Sequence, residues 1–355
     1  MNTTLSAELI VSGEYLSDRP VNIQVRLTNQ SSENIFLLKA ATPFEGLFSD
    51  CFEVNDTIDQ MPIYYDGFLV KRGPPPLESF LFLGPGAKVE TTVDLGSAYA
   101  VAAPGLYTVA LHVTVSYSVG SLDGGILADF SRHQSKLGKQ TLSTPSCPFK
   151  VLPGQFKRMT VGEQNRDPRA QAARLAPGGG VKALDVPTPP NVVGADPTQT
   201  TQILQAHQNA YNLVVAALNN LGPVGGPATT DPTYALWFGA YTDARFNIVS
   251  AVYGQVQTNF QGPAITYSTA GSNCLPNSLG YTSYGSTTIY LCSLFWSAPA
   301  TGTDSQAGTL VHEHTHSDAN TSDIAYGQSD CQALAASNPD QAVNNADSYE
   351  YYAGG

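Results

Sequence analysis

Leu310-Val311-His312-Glu313-His314-Thr315-His316 constrains this chain more than any other stretch. The spacing H-E-x-x-H predicts a helix with His312 and His316 one turn apart on a single face. The run before it, Ser305 to Val311, is compatible with a buried helix. Two imidazoles stacked in this way can share one Zn²⁺, and Glu313 beside them can accept a proton from zinc-activated water. His314 is two residues on from His312. At about 100° per residue it points nearly to the opposite side of the helix. A catalytic zinc also needs a third protein ligand and an open position for water. Asp323 offers a carboxylate shortly after the motif, and Asp318 is a nearer rival. Tyr326, about one turn beyond Asp323, can bring its phenol to the same space.

After H-E-x-x-H, Thr321-Ser322-Asp323-Ile324-Ala325-Tyr326-Gly327 resembles the aspzincin metallopeptidases, the deuterolysin and peptidyl-Lys metalloendopeptidase group. Their motif has Gly before the Thr. This chain has Asn320 there, a difference that affects a turn and not a ligand. Ala235 to Tyr241, Ile289 to Cys292, Phe295 to Thr309 and Asn345 to Tyr352 resemble the peptidyl-Lys branch. The likeness is strong over residues 195–355. It is looser over residues 1–150, which resemble that family's propeptide.

The resemblance implies one zinc per chain. It favours Asp323 over Asp318 as third ligand, because Thr321, Tyr326 and Gly327 frame Asp323 as in the family. It also implies a disulfide between Cys274 and Cys292, and a hydrogen bond from Tyr326 to the developing oxyanion. Asp347 and Glu350 match the pocket acids of the peptidyl-Lys branch. At i and i+3 on a helical turn they share a face, and two carboxylates there favour the ammonium of a lysine on the carboxyl side of the cut bond.

Charge is unevenly distributed. Residues 1–182 hold sixteen of the seventeen Lys and Arg against seventeen acids, whereas residues 183–355 hold twelve acids, Arg245 and no lysine. Typical usage would give the second stretch about ten lysines. An acidic domain is soluble without losing all of them. A protease that cuts at lysine would spare itself by this composition.

At 355 residues the chain is long enough for two cores. Few charges and frequent Gly, Pro, Ser and Thr suggest a secreted protein. No apolar run has transmembrane length. Met1-Asn2-Thr3-Thr4 leads directly into a strand-like pattern with no visible signal peptide, so the expectation is either a leader already removed or export by another route. Five cysteines leave at least one outside any intrachain pair. Cys51 and Cys147 form a second candidate bridge.

Residues 1–152 read as strands: Leu5 to Val11, Val21 to Thr28, Asn34 to Lys39, Lys88 to Leu95, Leu106 to Ser118 and Pro148 to Leu152. Their spacing predicts an antiparallel, immunoglobulin-like β-sandwich prodomain. His112 and His133 read as structural. Tyr64 to Pro76 is a loop candidate. An exposed basic loop is the plain interpretation, and a sharper one puts Lys71 in the lysine pocket to silence the precursor.

Residues 153–198 read as a linker, with a short helix from Gln164 to Arg174. The flexible tip Ala176 to Lys182 puts an activation cut at Val181–Lys182, with cuts elsewhere also open. Residues 199–355 form the catalytic domain, expected to be mainly α and zincin-like with a small β-sheet. It begins with an amphipathic helix ended by Gly222-Pro223, with His207 beside its apolar stripe as surface or satisfied core. A helix from Asp231-Pro232 to about Val256 follows. Then come strands at Ala264–Ser268 and Thr287–Cys292, a helix from about Ser322 to Ala336, and a short one after Pro339.

The expected activity is that of a secreted zinc endopeptidase zymogen cutting on the amino side of lysine. Its partners are lysine-containing protein substrates and its own prodomain, with neither nucleic acid nor membrane. A deuterolysin-like enzyme of broader preference is the nearest alternative. An adhesive β-sandwich protein with a non-catalytic second domain is the alternative from another class. Asn320-Thr321-Ser322 is also a glycosylation sequon beside the expected site.

Overall fold

The computed structural model describes residues 4–124, 127, 136–166 and 186–354. The chain divides into two compact units, Met1–Phe68 with Pro74–Gln164, and Leu69–Gly73 with Asn165–Gly355.

The first unit is strand-rich. Its strands are β1 (Leu5–Val11), β2 (Glu14–Leu16), β3 (Asn22–Asn29), β4 (Ile35–Leu38), β5 (Phe52–Asp56) and β6 (Met61–Ile63). After β7 (Leu69–Arg72), which belongs to the other unit, come β8 (Phe80–Leu83), β9 (Lys88–Asp94), β10 (Gly105–Val119), β11 (Gly138–Ser143) and β12 (Cys147–Leu152). Strands β1, β3 and β9 make one antiparallel sheet. The 15-residue β10 organises the second sheet, pairing with β4, β5, β11 and β12. Alternation supplies the core: Ile23, Val25 and Leu27 of β3, and Val109, Leu111, Val113 and Val115 of β10, are buried. The six expected strands are present with ends shifted by at most one residue. His112 lies exposed on β10, its Nδ1 3.1 Å from Ser143 Oγ, while His133 lies outside the described residues.

Cys51 and Cys147 are not bridged. Cys147 begins β12 and Cys51 precedes β5, and these strands flank β10 on opposite sides. Two strand spacings, about 10 Å, exceed the Cα separation a disulfide can span. Cys274 and Cys292 are joined by a disulfide.

The second unit is helical around one five-stranded sheet. The order is β13 (Asn191–Val193), β14 (Thr266–Ser268), β16 (Thr288–Leu291), β15 (Ser278–Thr282) and β7. Helix α1 (Val161–Asn165) ends at the unit boundary. Helix α2 (Pro197–Leu221) starts with a capping box between Asp196 and Gln199 and stops at Gly222. α3 (Pro232–Phe238) and α4 (Asp243–Gln261) follow, then α5 (Gln306–Ala319), α6 (Gly327–Ser337), α7 (Pro339–Ala342) and α8 (Ala346–Tyr352). α5 carries the H-E-x-x-H motif and packs against α2, α4 and α8, so nearly every one of its residues is buried. Among the described residues no helix is long and apolar enough to cross a membrane.

Several expectations are corrected. The helix foreseen from Asp231 to Val256 is broken at Gly239, whose φ is +77°. A Cβ there would also meet the Ala335 carbonyl oxygen at 2.6 Å, so the break is built for glycine. The helix foreseen from Ser322 begins only at Gly327, because the Asn345 side chain accepts the Ile324 and Ala325 N–H groups at 3.0 and 2.9 Å. The Tyr64–Pro76 loop contains β7, whose partner β15 is some two hundred residues away in sequence. The linker is shorter than residues 153–198: residues through Gln164 belong to the first unit, and Asn191–Val193 is a strand of the second. Helix α1 ends before most of Gln164–Arg174, whose remainder, like the Val181–Lys182 bond, lies outside the described residues.

Candidate metal centre

α5 sets the site by its own periodicity. His312 and His316 stack at i and i+4, with their Nε2 atoms 3.0 Å apart. Asp323 Oδ1 lies 3.2 Å from each of these nitrogens. A tetrahedron with metal–ligand distances near 2.0 Å has edges of about 3.3 Å. The three atoms therefore have the spacing of three ligands around one zinc, and Asp323 Oδ1 is a buried acceptor with no hydrogen-bond donor. The residues present fit the ion.

The other imidazole nitrogens are held too. His316 Nδ1 donates to the Thr321 carbonyl oxygen at 2.7 Å, and His312 Nδ1 lies 2.7 Å from Asp347 Oδ1. Both contacts fix the ring so that Nε2 faces the centre. Burial lowers the His312 pKa, but the Asp323 and Asp347 carboxylates outweigh it and lift it to about 10. Burial alone would raise Asp323. The His316 and His312 imidazoles hold it well below the usual carboxylate range. Burial, opposed by His312 and reinforced by Asp323, raises Glu313 to about 8. Glu313 Oε2 is buried without a hydrogen-bond partner.

Asn320 ends α5 in the left-handed conformation, with φ 57° and ψ 33°. Asn tolerates this region better than most residues, so it can stand where the resembling motif has Gly. The turn brings Thr321 and Asp323 back over the helix.

Asp347 and Glu350 lie buried on α8. Gly308 of α5 faces Glu350, and a Cβ there would meet Glu350 Oε1 at 2.7 Å. The ammonium of Lys71 on β7 sits between these acids, 2.9 Å from Asp347 Oδ1 and 2.8 Å from Glu350 Oε2. Asp304 Oδ1 is 3.3 Å away, and the Tyr351 ring lies 5.2 Å below. Burial lowers the Lys71 pKa, yet Asp347 and Glu350 carry it well above its ordinary value. Burial raises Glu350 to about 7. Without a cation, this pocket would hold adjacent carboxylates in a dry site, which is strongly unfavourable. The backbone of β7 continues the contact: Lys71 N–H donates to Glu313 Oε1 at 3.2 Å, and Val70 N–H to Asp323 Oδ2 at 3.1 Å. Arg72 Nη1 donates to the Tyr326 hydroxyl, and to the Val70 carbonyl oxygen at 3.2 Å.

Sequence reading did not anticipate Asp304, Tyr351 or Arg72 here. Asp304 is far from α8 in the chain and shares no spacing with it. Arg72 adjoins Lys71 and Tyr351 adjoins Glu350, and those adjacencies were the available signals.

Behind α5, a buried polar chain ties the metal helix to its neighbours. His314 Nδ1 lies 2.7 Å from Asp318 Oδ2, and His314 Nε2 lies 2.8 Å from the Tyr267 hydroxyl. That hydroxyl is 2.9 Å from His207 Nδ1, and His207 Nε2 is 3.0 Å from the Thr188 carbonyl oxygen. His314 thus points away from the centre and engages Asp318, the rival ligand. His207 is 3% exposed, and burial, aided by His314, depresses its pKa from 6.5 to about 4. The unfolded chain then binds the extra proton between pH 6.5 and 4, so stability falls as pH drops through that window, by about 3 kcal/mol for this group. His207→Gln is expected to remove most of that acid sensitivity. Denaturant midpoints at pH 7 and pH 4.5 measure it, and an unchanged difference would refute it.

The sequence model of the aspzincin family, described as lysine-specific metallo-endopeptidase, matches residues 226–354. A peptidyl-Lys metalloendopeptidase of Pleurotus ostreatus is 38% identical over 45% of this chain and 94% of its own length. One from Grifola frondosa is 29% identical over 97% of this chain and 91% of its own, the first unit included. An extracellular protease of Aeromonas hydrophila is 26% identical over 94% of this chain and 87% of its own. The solved zinc peptidase from Grifola frondosa aligns with 45% of this chain and 96% of its own at 35% identity, with a TM-score of 0.41. With this relatedness added to the motif and its geometry, the chain belongs to the aspzincin family of zinc metalloendopeptidases.

Proposed function

We propose that this protein is the zymogen of a secreted endopeptidase that hydrolyses Xaa–Lys bonds with one zinc per chain. The observation that carries the reading is the Lys71 ammonium, 1% exposed, between Asp347 and Glu350 while its amide nitrogen faces Glu313. A lysine so held has its amino-side peptide bond at the metal centre. The names of the fungal relatives and the absence of lysine after Lys182 support the same specificity. The name of the Aeromonas relative and the disulfide support secretion.

His312, His316 and Asp323 would hold the zinc, which when bound supplies a Lewis acid that activates water and polarises the scissile carbonyl. Glu313 accepts the proton of the attacking water and passes it to the leaving amine. Tyr326 donates to the developing oxyanion. Asp347 and Glu350 neutralise the substrate ammonium, with Asp304 at the rim. In the zymogen, Lys71 fills this pocket and Arg72 engages the Tyr326 hydroxyl. The first unit is read as an immunoglobulin-like prodomain, on its two sheets of alternating strands.

Lys71→Ala removes one ion from a buried cluster, a change worth about 3 kcal/mol or more. The full chain carrying it is expected to show an initial rate about a hundredfold above wild type immediately after zinc loading. Digesting a denatured protein with and without a chelator, and mapping the new amino termini, tests the whole reading. Termini other than lysine, or chelator-resistant cleavage, would overturn it.

A further inference from the structure

We propose that the Val70–Lys71 bond of this chain is itself a cleavage site, cut in cis by the adjacent metal centre. The proposal rests on the peptidase reading above and adds a processing site to it. β7 runs antiparallel along β15, with Val70 opposite Tyr281 and Lys71 opposite Gly280. The Lys71 ammonium fills the acidic pocket, and its amide nitrogen, the leaving nitrogen of the bond, lies 3.2 Å from Glu313 Oε1. On the other side of the bond, Val70 N–H is tied to Asp323 Oδ2 at 3.1 Å. The Val70 carbonyl oxygen and the Tyr326 hydroxyl share Arg72 Nη1 as donor, so the carbonyl that would be attacked lies beside the phenol. A strand that merely plugged the pocket could run in reverse or sit one residue out of register. Here the pocket lysine, the leaving nitrogen and the carbonyl fall into place together, which is the arrangement of a bound substrate.

The step is a hydrolysis. Water adds to the Val70 carbonyl carbon, the C–N bond to Lys71 breaks, and Val70 keeps the oxygen as its carboxylate. Both protons of the water end on the Lys71 nitrogen, the first carried there by Glu313, and it leaves as a new amino terminus in its ammonium form. The cut lies outside the 153–198 stretch to which the sequence alone directs attention.

The test uses the full chain, prepared metal-free and then given zinc in the presence of an added Xaa–Lys peptide. Amino-terminal sequencing and intact mass follow the chain, and the peptide reports the peptidase activity separately. The expected result is complete conversion to a fragment beginning at Lys71, with a half-time unchanged on dilution, and no conversion in Glu313→Gln. A second readout needs no turnover. In the metal-free chain, amine acetylation is expected to spare Lys71 while modifying exposed lysines such as Lys136 and Lys157. A zinc-loaded chain that hydrolyses the peptide but keeps Val70–Lys71 whole would overturn the proposal, as would cleavage there that slows with dilution, or ready acetylation of Lys71. If neither wild type nor Lys71→Ala hydrolyses the peptide, the peptidase reading fails as well.

Discussion

Glu313→Gln, made in the Lys71→Ala background so that the pocket is open, is expected to lower kcat by about three orders of magnitude and leave zinc content unchanged. The two effects separate because Glu313 stands next to the ligand set without belonging to it. His312, His316 and Asp323 converge on one another, whereas Glu313 presents one oxygen to the Lys71 amide and buries the other without a partner. Glutamine keeps the volume and can still hydrogen-bond, but it cannot carry a proton from water to the leaving amine. General acid–base groups of this kind contribute about 10²–10⁴-fold. Metal analysis beside peptide kinetics reads both quantities. A variant keeping a tenth of wild-type kcat would remove Glu313 from the proton path, and loss of zinc would instead make it part of the coordination sphere.

Asp347→Ala and Glu350→Ala are expected to differ in kind, although both acids touch the same ammonium. Asp347 Oδ1 is shared between Lys71 Nζ, at 2.9 Å, and His312 Nδ1, at 2.7 Å, while Asp347 Oδ2 accepts from Gly327 N–H at 2.7 Å. On the proposed reading it would orient a metal ligand as well as bind the substrate lysine. Glu350 comes only within 3.8 Å of His312 Nδ1. Removing a carboxylate that supports a ligating histidine costs about 10–100-fold in metal affinity. Asp347→Ala should show that loss in chelator competition together with a weakened preference for lysine. Glu350→Ala should raise KM for Xaa–Lys peptides at unchanged zinc affinity. Equal zinc affinities in the two variants would sever Asp347 from the metal. The same oxygen shared by specificity and coordination makes Asp347→Asn informative, since the amide keeps an acceptor for His312 and loses the charge that holds the lysine.

How much of this the sequence disclosed follows from how local each feature is. The stacking of His312 on His316 is a property of one helical turn, and Asp323 and Tyr326 follow within ten residues. The divergence of His314 was readable from the same periodicity. In the first unit, six strands were legible because apolar residues alternate or run together along them, most regularly in β3 and β12, where burial alternates as well. Features that depend on distant partners were not legible. Every residue of β15 is buried, so it shows no alternation, and β7 is a strand only because β15 lies beside it. Asp304 joins the pocket through tertiary packing, with no periodic relation to Asp347 or Glu350. The break at Gly239 depends on the crowding of α6 and Pro339, which a run of helix-compatible residues does not reveal. The late start of α6 depends likewise on the Asn345 side chain, some twenty residues downstream.

The ladder between β7 and β15 has a consequence for which proteins such an enzyme can digest. Once Leu69–Arg72 withdraws, β15 becomes an open border of backbone donors and acceptors, ready for any chain that can lie straight across it. A lysine wound into a helix cannot offer that shape, and one locked in the middle of a sheet already has neighbours on both sides. With the proposed specificity, native proteins would therefore be nicked at lysines in their loops and tails, and unfolded ones cut at nearly every lysine.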